Sequence, residues 1–342
     1  MKKNYTLQIG NFGGDVQIDG QTVKTKMIHR LLLSRYDEVK IIDIYNYSLI
    51  NYLFLILKLP MLVFLSNSVF IGIGKRGMKI LTPIVIVLGA AFKKEVHYYV
   101  VGGWMLLYLE RYKWLISFYK KFKSILVELP SMVMDCQDKF NLNNVYNLPN
   151  FRCYNSEDTT VLQVNSPIKL VFFSRVIPEK GICLALDALN RVNSESNLAT
   201  LDVFGPVFDK EILESIENNQ YAKYNGVLSP DDSSIYTELS KYDVLLFPTY
   251  YEGEGYPGAI VDAFFSGLPV IASDWKYNGE IITSGIDGYI FESKSVLSLE
   301  NTLKKLCLNR DQIFEMKNNA LKTSEKFSFE NAKKILNDVT FL

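Results

Sequence analysis

Three stretches of this sequence have residue types and spacings that suit chemistry. In FPTYYEGEGYPGAIVDAFF (residues 247–265), Glu252 and Glu254 stand in a turn rich in Gly and Pro, with Asp262 eight residues beyond Glu254. A turn calls for Gly, Pro, Asn or Asp and has no need of two glutamates. Gly255, Tyr256, Pro257 and Gly258 lead into a helix, and the backbone from Gly255 to Ala259 is expected to face an anion there. In SRVIPEKGI, Arg175 and Lys180 follow a strand and precede Gly181 and another helix. A guanidinium fork and an ammonium point charge together suit a diphosphate, while a solvated loop with Glu179 as partner is the other account. In QIGNFGGDVQIDG, Gly10, Gly13, Gly14 and Gly20 lie between strand and helix, where glycine lets amides approach a phosphate. The G-x-x-G-G spacing is not the dinucleotide fingerprint G-x-G-x-x-G, and a tight turn explains it equally.

Acids beside an anion site repel the anion unless the ligand carries hydroxyls next to its phosphates. A carboxylate in the turn accepts from sugar hydroxyls, and one on the first helical turn suits a ribose diol. The ligand that satisfies both is a nucleotide sugar. Glu254 is the acid assigned to sugar hydroxyls, and Glu252 is expected to be a surface neighbour.

The elements that must position these residues alternate. Expected strands are 5–10, 39–44, 68–74, 96–103 and 124–129, with helices between them, notably 22–36 and the basic aromatic stretch 108–123. Residues 144–167 are rich in Asn, Ser and Thr, lack periodicity and read as a linker. Alternation then resumes with strands 168–175, 199–206, 222–228, 242–248, 268–273 and 287–292 and helices near 181–193, 209–218 and 258–267. This is an α/β pattern of two doubly wound parallel sheets, in which ligands bind beyond the C-terminal strand ends. Domains are expected at 1–150 and 168–325, joined by a linker at 151–167, with a C-terminal helix in 326–342 returning to the first domain.

The 342 residues and 48% apolar content support two cores rather than a disordered chain. Formal charge is zero, yet residues 1–165 hold 20 Lys/Arg against 12 Asp/Glu and residues 166–342 hold 17 against 25. The basic half suits a solvated face, an anionic membrane surface or a nucleic-acid surface, and with no nucleic-acid-binding signature beside it the last is the least expected. Four cysteines without C-x-x-C spacing and two histidines give no metal or disulfide framework, and a reducing cytoplasm is expected. Residues 49–74 are very apolar, but Lys58 and Pro60 interrupt them, so a buried helix and a buried strand are expected rather than a span. An interfacial segment is the alternative.

With these motifs in order, the chain resembles the retaining glycosyltransferases of the GT-B fold, in the large family-four group that includes many bacterial polysaccharide and lipopolysaccharide enzymes. That group shows a glutamate, seven residues and a second glutamate, and here Glu254-GYPGAIV-Asp262-AFFSGLPVIAS follows the pattern. Arg175 with Lys180, the linker NLPNF, FGP (204–206), YNGVL (224–228) and GIDGYIF (285–291) fall in the family's order. The likeness is strong over 168–292 and looser before 110. It implies two Rossmann-like domains facing each other across a cleft. It also implies that Arg175 and Lys180 hold the donor diphosphate, Glu254 the donor sugar, and Asp262 the ribose. Gly255, Tyr256, Pro257 and Gly258 would contact sugar and phosphate, and Gly13 and Gly14 would border the diphosphate from the other domain.

Two departures stand out. Asp262 replaces the usual glutamate, and Gly102 and Gly103 stand where many relatives carry a histidine. His97 is expected in the sheet and His29 on the surface. No D-x-D motif occurs, so no metal cofactor is expected, and front-side displacement with retention is preferred over a covalent intermediate. The donor is expected to be UDP- or GDP-linked. The acceptor is expected to be a lipid-linked saccharide, with RYKWLISFYKKFK (111–123) read as either an interfacial or an ordinary amphipathic helix. A catalytically silent nucleotide-sugar-binding scaffold and a nucleotide-sugar epimerase are the rival readings.

Overall fold

The computed structural model describes residues 5–14, 20–154, 159–228 and 234–341. The chain forms two compact units, one of Met1–Phe151 with Phe329–Leu342, the other of Arg152–Ser328.

In the first unit, β1 (Tyr5–Gly10), β2 (Val39–Asp43), β3 (Ser66–Gly72), β4 (Glu95–Tyr99), β5 (Ser124–Val127) and β6 (Val145–Asn147) pair in parallel in the order β2-β1-β3-β4-β5-β6. Every residue of β1 is buried, the polar Thr6 and Gln8 included, as a strand covered on both faces requires. The intervening helices are α1 (Gly20–Leu33), α2 (Leu49–Leu65), α3 (Lys75–Phe92), α4 (Met105–Arg111), α5 (Ile116–Tyr119) and α6 (Pro130–Phe140). One core cluster joins Val23, Ile28 and Leu31 of α1 with Ala332, Leu336 and Val339 of the last helix.

In the second unit, β7 (Ile168–Phe173), β8 (Ala199–Phe204), β9 (Ala222–Tyr224), β10 (Val244–Phe247), β11 (Val270–Ser273) and β12 (Gly288–Phe291) are again all parallel, in the order β12-β11-β10-β7-β8-β9. Its helices are α7 (Ile182–Val192), α8 (Lys210–Glu217), α9 (Ser234–Leu239), α10 (Gly258–Phe265), α11 (Asn278–Ile281), α12 (Val296–Cys307) and α13 (Arg310–Ser324). The chain closes with α14 (Phe329–Phe341) in the first unit. Local chemistry sets several boundaries. Asp209 caps α8 by accepting from the Glu211 amide at 2.9 Å, and Pro130 opens α6 where its missing N–H costs nothing. In each sheet the strand order reverses next to the first strand, between β1 and β3 and between β7 and β10. Such reversals open the crevices that ligands use.

Several expectations are corrected. Residues 108–123 do not make one helix. The backbone leaves helical geometry at Tyr112 (φ −121°, ψ 64°), and a 3-10 turn and α5 follow, because Leu115, Tyr119 and Phe122 turn into the core. The stretch beginning at 144 is not all linker, since Val145–Asn147 adds an edge strand to β5. Residues 49–65 are helical but not buried. Leu55, Leu59, Leu62 and Val63 pack inward while Leu53, Phe54, Leu57, Met61 and Phe64 face out. None of the described helices is long and apolar enough to cross a membrane. His97 is a buried sheet residue as expected, stacked on Phe70, and burial with Lys123 nearby pushes its pKa down to about 4. His29 is not a surface residue. It is half-buried, its Nδ1 lies 2.9 Å from Gln8 Oε1, and burial lowers its pKa.

Candidate active site

The second unit gathers its polar groups where β7 and β10 end side by side. After β7 the chain turns through Arg175 and a 3-10 turn, Pro178–Lys180, to Gly181 and α7. Gly181 has φ +83°, and a Cβ there would lie 2.1 Å from the Pro248 carbonyl oxygen. Only glycine lets this turn press against the end of β10, and that contact fixes the position of Lys180. From β10 the chain runs through Thr249 into the glutamate-bearing turn, which is tied back by the Tyr250 amide donating to the Glu179 carbonyl at 2.8 Å. The Ser273 hydroxyl, at the end of β11, donates to the Thr249 carbonyl.

The result is a charged cluster. Lys180 Nζ lies 2.5 Å from Glu254 Oε2, with both side chains less than a tenth exposed. The Thr249 hydroxyl donates to the same oxygen at 3.0 Å. Tyr251 holds two cations against its ring, with Arg175 Cζ 5.0 Å and Lys180 Nζ 5.3 Å from the centroid. Arg175 itself is exposed and available to an incoming anion. Glu252 points to solvent and pairs with Lys276 at 2.9 Å, the surface role expected of it. Thr249 and Tyr251 carried no signal in the sequence beyond adjacency to Glu254, yet they brace the carboxylate and gather the cations.

Asp262 lies in α10 at 3% exposure, inside a second polar group. Arg152 grips it bidentately, Nε donating to Oδ1 at 2.6 Å and Nη2 to Oδ2 at 3.0 Å, and Nη2 also reaches the Gly258 carbonyl at 3.2 Å. The Tyr236 hydroxyl donates to Oδ1 at 3.4 Å, and the Tyr236 ring stacks on Tyr154 at 3.9 Å. Burial works against the Arg152 charge, but Asp262 outweighs it and raises the pKa, so the guanidinium stays charged. Burial, reinforced by Asp262, also raises the pKa of the Tyr236 hydroxyl and keeps it protonated. A carboxylate has about four lone-pair sites, so Asp262 keeps acceptor capacity beyond Arg152. Arg152 was missed because one arginine in NFRCY gives no hint that it is buried.

Gly255 and Gly258 are partly exposed at the entry to α10, Pro257 is buried at its N-cap, and the buried Tyr256 ring packs edge-on against Phe327 at 6.0 Å. Gly13 (φ +85°) and Gly14 (φ +53°) lie in the first unit, in a loop whose amides are already committed. Asp43 accepts from Phe12 at 2.9 Å, Gly14 at 3.1 Å and Tyr45 at 2.9 Å, and the Gly13 amide donates to Asn11 Oδ1 at 3.0 Å. Asp43, at the end of β2, is the organiser of this loop. Arg175, Lys180 and Glu254 thus form one cluster, and Asp262 belongs to a second, centred on Arg152. Among the described residues no three His, Cys, Asp or Glu side chains group as metal ligands would.

Residues 167–309 match the model of the family "Glycosyl transferases group 1". Among curated proteins, the chain is 29% identical over 182 residues to the poly(glycerol-phosphate) alpha-glucosyltransferase of Bacillus subtilis, a match covering 51% of this chain and 26% of that one. It is 28% identical over 136 residues to the UDP-Gal:alpha-D-GlcNAc-diphosphoundecaprenol alpha-1,3-galactosyltransferase of Escherichia coli, covering 39% of this chain and 34% of that one. The chain thus spans about a third or less of these curated relatives' length. HepE of Anabaena, solved in complex with UDP and glucose, superposes with a TM-score of 0.72 over 99% of this chain and 100% of that one, at 14% identity. The two parallel six-stranded sheets of this chain are those of the GT-B fold, and residues 167–309 are similar to the group 1 glycosyl transferases.

Proposed function

We propose that the protein transfers a sugar, with retention, from a UDP-sugar to a lipid-linked saccharide, without a metal ion. The observation that carries the reading is the Arg175–Lys180–Glu254 cluster at the point where the sheet order reverses. A ligand there meets two cations and one braced carboxylate, the match for a diphosphate beside sugar hydroxyls. Binding exchanges partners: the diphosphate takes over part of the Lys180 charge, and Glu254, still held by Thr249, accepts from the sugar.

In the proposed step the acceptor hydroxyl attacks C1 on the face the diphosphate leaves. The C1–O bond to the β-phosphate breaks, the C1–O bond to the acceptor forms, and the acceptor's proton passes to the departing phosphate oxygen. UDP leaves with its charge met by Arg175 and Lys180. Glu254 is already engaged by Lys180 and Thr249, which favours a hydroxyl-acceptor role over that of a nucleophile. UDP as the nucleotide and an undecaprenyl-diphosphate type of acceptor are suggested by the ligands and names of the relatives above.

The test is a thermal-unfolding and calorimetric titration with UDP, GDP and their hexose conjugates. At a hundred times its Kd, the right nucleotide raises stability by about 2.7 kcal/mol. Lys180→Ala abolishes that gain, and turnover persists in chelator with the anomeric configuration kept. No response to any nucleotide, or an inverted product, refutes the reading.

A further inference from the structure

Helix α2 is apolar on two opposite faces, and the fold uses only one of them. Leu55, Leu59, Leu62 and Val63 close the core, while Ile50, Leu53, Phe54, Leu57, Met61 and Phe64 recur at three- and four-residue spacing along the outward face. Each of these outward residues is more than half exposed, with Leu57 at 69%. Single exposed apolar residues need no explanation, but a continuous stripe four turns long does.

Beside the start of this stripe lies a cavity of about 560 Å³, with Tyr47, Tyr52, Leu49, Lys75, Lys79 and Tyr108 in its wall. Lys75 follows β3, on the side of the sheet where the strand order reverses. Tyr108 is anchored by donating to the Lys75 carbonyl at 2.8 Å, and the Lys79 ammonium sits 3.6 Å from the centroid of the Tyr112 ring. Neither lysine has a carboxylate partner among the described residues. An apolar stripe, aromatic rings and unneutralised cations at one end form the pattern of a surface that meets acyl chains and anionic headgroups together.

We propose that α2 lies in the interfacial layer of an anionic membrane, with the Lys75–Lys79–Tyr108 cavity taking the phosphate of a phospholipid headgroup. The inference rests on the lipid-linked acceptor reading for its purpose, since it brings the enzyme to the surface that holds such an acceptor. A soluble phosphate would satisfy the cavity but not the stripe, and a second copy of the chain would cover the stripe without needing the lysines.

The experiment is co-sedimentation of the full chain at low salt with phosphatidylcholine vesicles, with and without phosphatidylglycerol. The expected preference for the anionic vesicles is about tenfold or more, falling as salt is raised. Phe54→Ser with Leu57→Ser should lower partition to both vesicle types at least tenfold. Lys75→Gln with Lys79→Gln should erase the preference for phosphatidylglycerol, and millimolar glycerol phosphate should not compete the wild type off. The idea is overturned if the wild type ignores both vesicles, or if the serine variant binds as well as the wild type. It is equally overturned if the chain dimerises through α2 and only the serine variant is monomeric. UDP titration of the same samples separates the two proposals. A UDP response without vesicle binding overturns the membrane contact alone, and vesicle binding without a UDP response leaves it standing and removes the donor reading.

Discussion

Replacing Arg152 by methionine should strip the second unit of a large part of its stability, and the geometry says how much. Asp262 is 3% exposed and receives two charged hydrogen bonds from Arg152, at 2.6 and 3.0 Å, against one long bond from Tyr236 at 3.4 Å. In Arg152→Met the carboxylate keeps its burial and loses its counter-charge, a change that costs about 3–5 kcal/mol in comparable buried pairs. With a urea dependence of about 2 kcal/mol per molar for a unit of this size, the midpoint should fall by about 2 M. Removing both charges in Arg152→Met with Asp262→Leu also removes the orphaned carboxylate, so the double variant should recover most of the loss. Trp275 makes the measurement specific. It is the one tryptophan of three in the second unit, so fluorescence in a Trp104→Phe, Trp114→Phe background follows that unit alone. A midpoint shift under about 0.5 M, or a double variant whose loss equals the sum of the two single losses, would refute the argument that this pair is strongly coupled.

Other outcomes follow from the same geometry. Gly181→Ala forces a Cβ to 2.1 Å from the Pro248 oxygen at φ +83°, so the Lys180 turn must move; a loss of about 2 kcal/mol or more in unfolding and at least tenfold weaker UDP binding are expected, and unchanged binding would count against it. Glu254→Gln should leave UDP affinity within about threefold, because the diphosphate cations remain, while lowering kcat with a UDP-sugar at least a hundredfold; steady-state kinetics reads both, and an equal loss in both would contradict the assigned roles. His97, held neutral with a pKa of about 4, binds its proton more readily in the unfolded chain, so its contribution is complete above about pH 6.5 and is lost as pH falls towards 4. The first unit should therefore lose about 3 kcal/mol more than His97→Gln between pH 7 and 4, and parallel curves in a pH series of urea titrations would disprove it.

The strand frame was legible because parallel strands covered on both faces are rich in apolar residues, and VLLF and the LVFF of β7 are short runs of that kind set between helical stretches. That Lys180 and Glu254 come together was legible for a related reason: each sits just past a strand end, beside glycines, and the paired parallel strands β7 and β10 end side by side. What stayed hidden depended on contacts between residues far apart in sequence. Arg152 and Asp262 are separated by 110 positions, and nothing in either neighbourhood indicates that one buries its charge against the other. Asp43 stands at the end of β2, and nothing in its sequence position shows that its carboxylate organises the loop of Gly13 and Gly14.

Helix α2 shows the limit most clearly, because hydropathy and burial part company there. Seventeen residues that read LINYLFLILKLPMLVFL imply a helix in the core, since apolar surface left in water costs about 25 cal/mol per Å². The sheet can cover only the side that faces it, and the outward row of Ile50, Leu53, Phe54, Leu57, Met61 and Phe64 remains uncovered within the unit. A sequence retained purely for folding would carry polar residues on that row, as the outward positions of α8 do with Lys210, Glu211 and Glu214. Lys58 at the edge of the row fits the same reasoning, because a long cation beside an apolar stripe can extend to headgroups while its stem stays with the chains. The excess of apolar residues in α2 is therefore best read as a requirement of what the protein touches, and substitution of Phe54 and Leu57 by serine should leave unfolding of the first unit within about 0.5 kcal/mol.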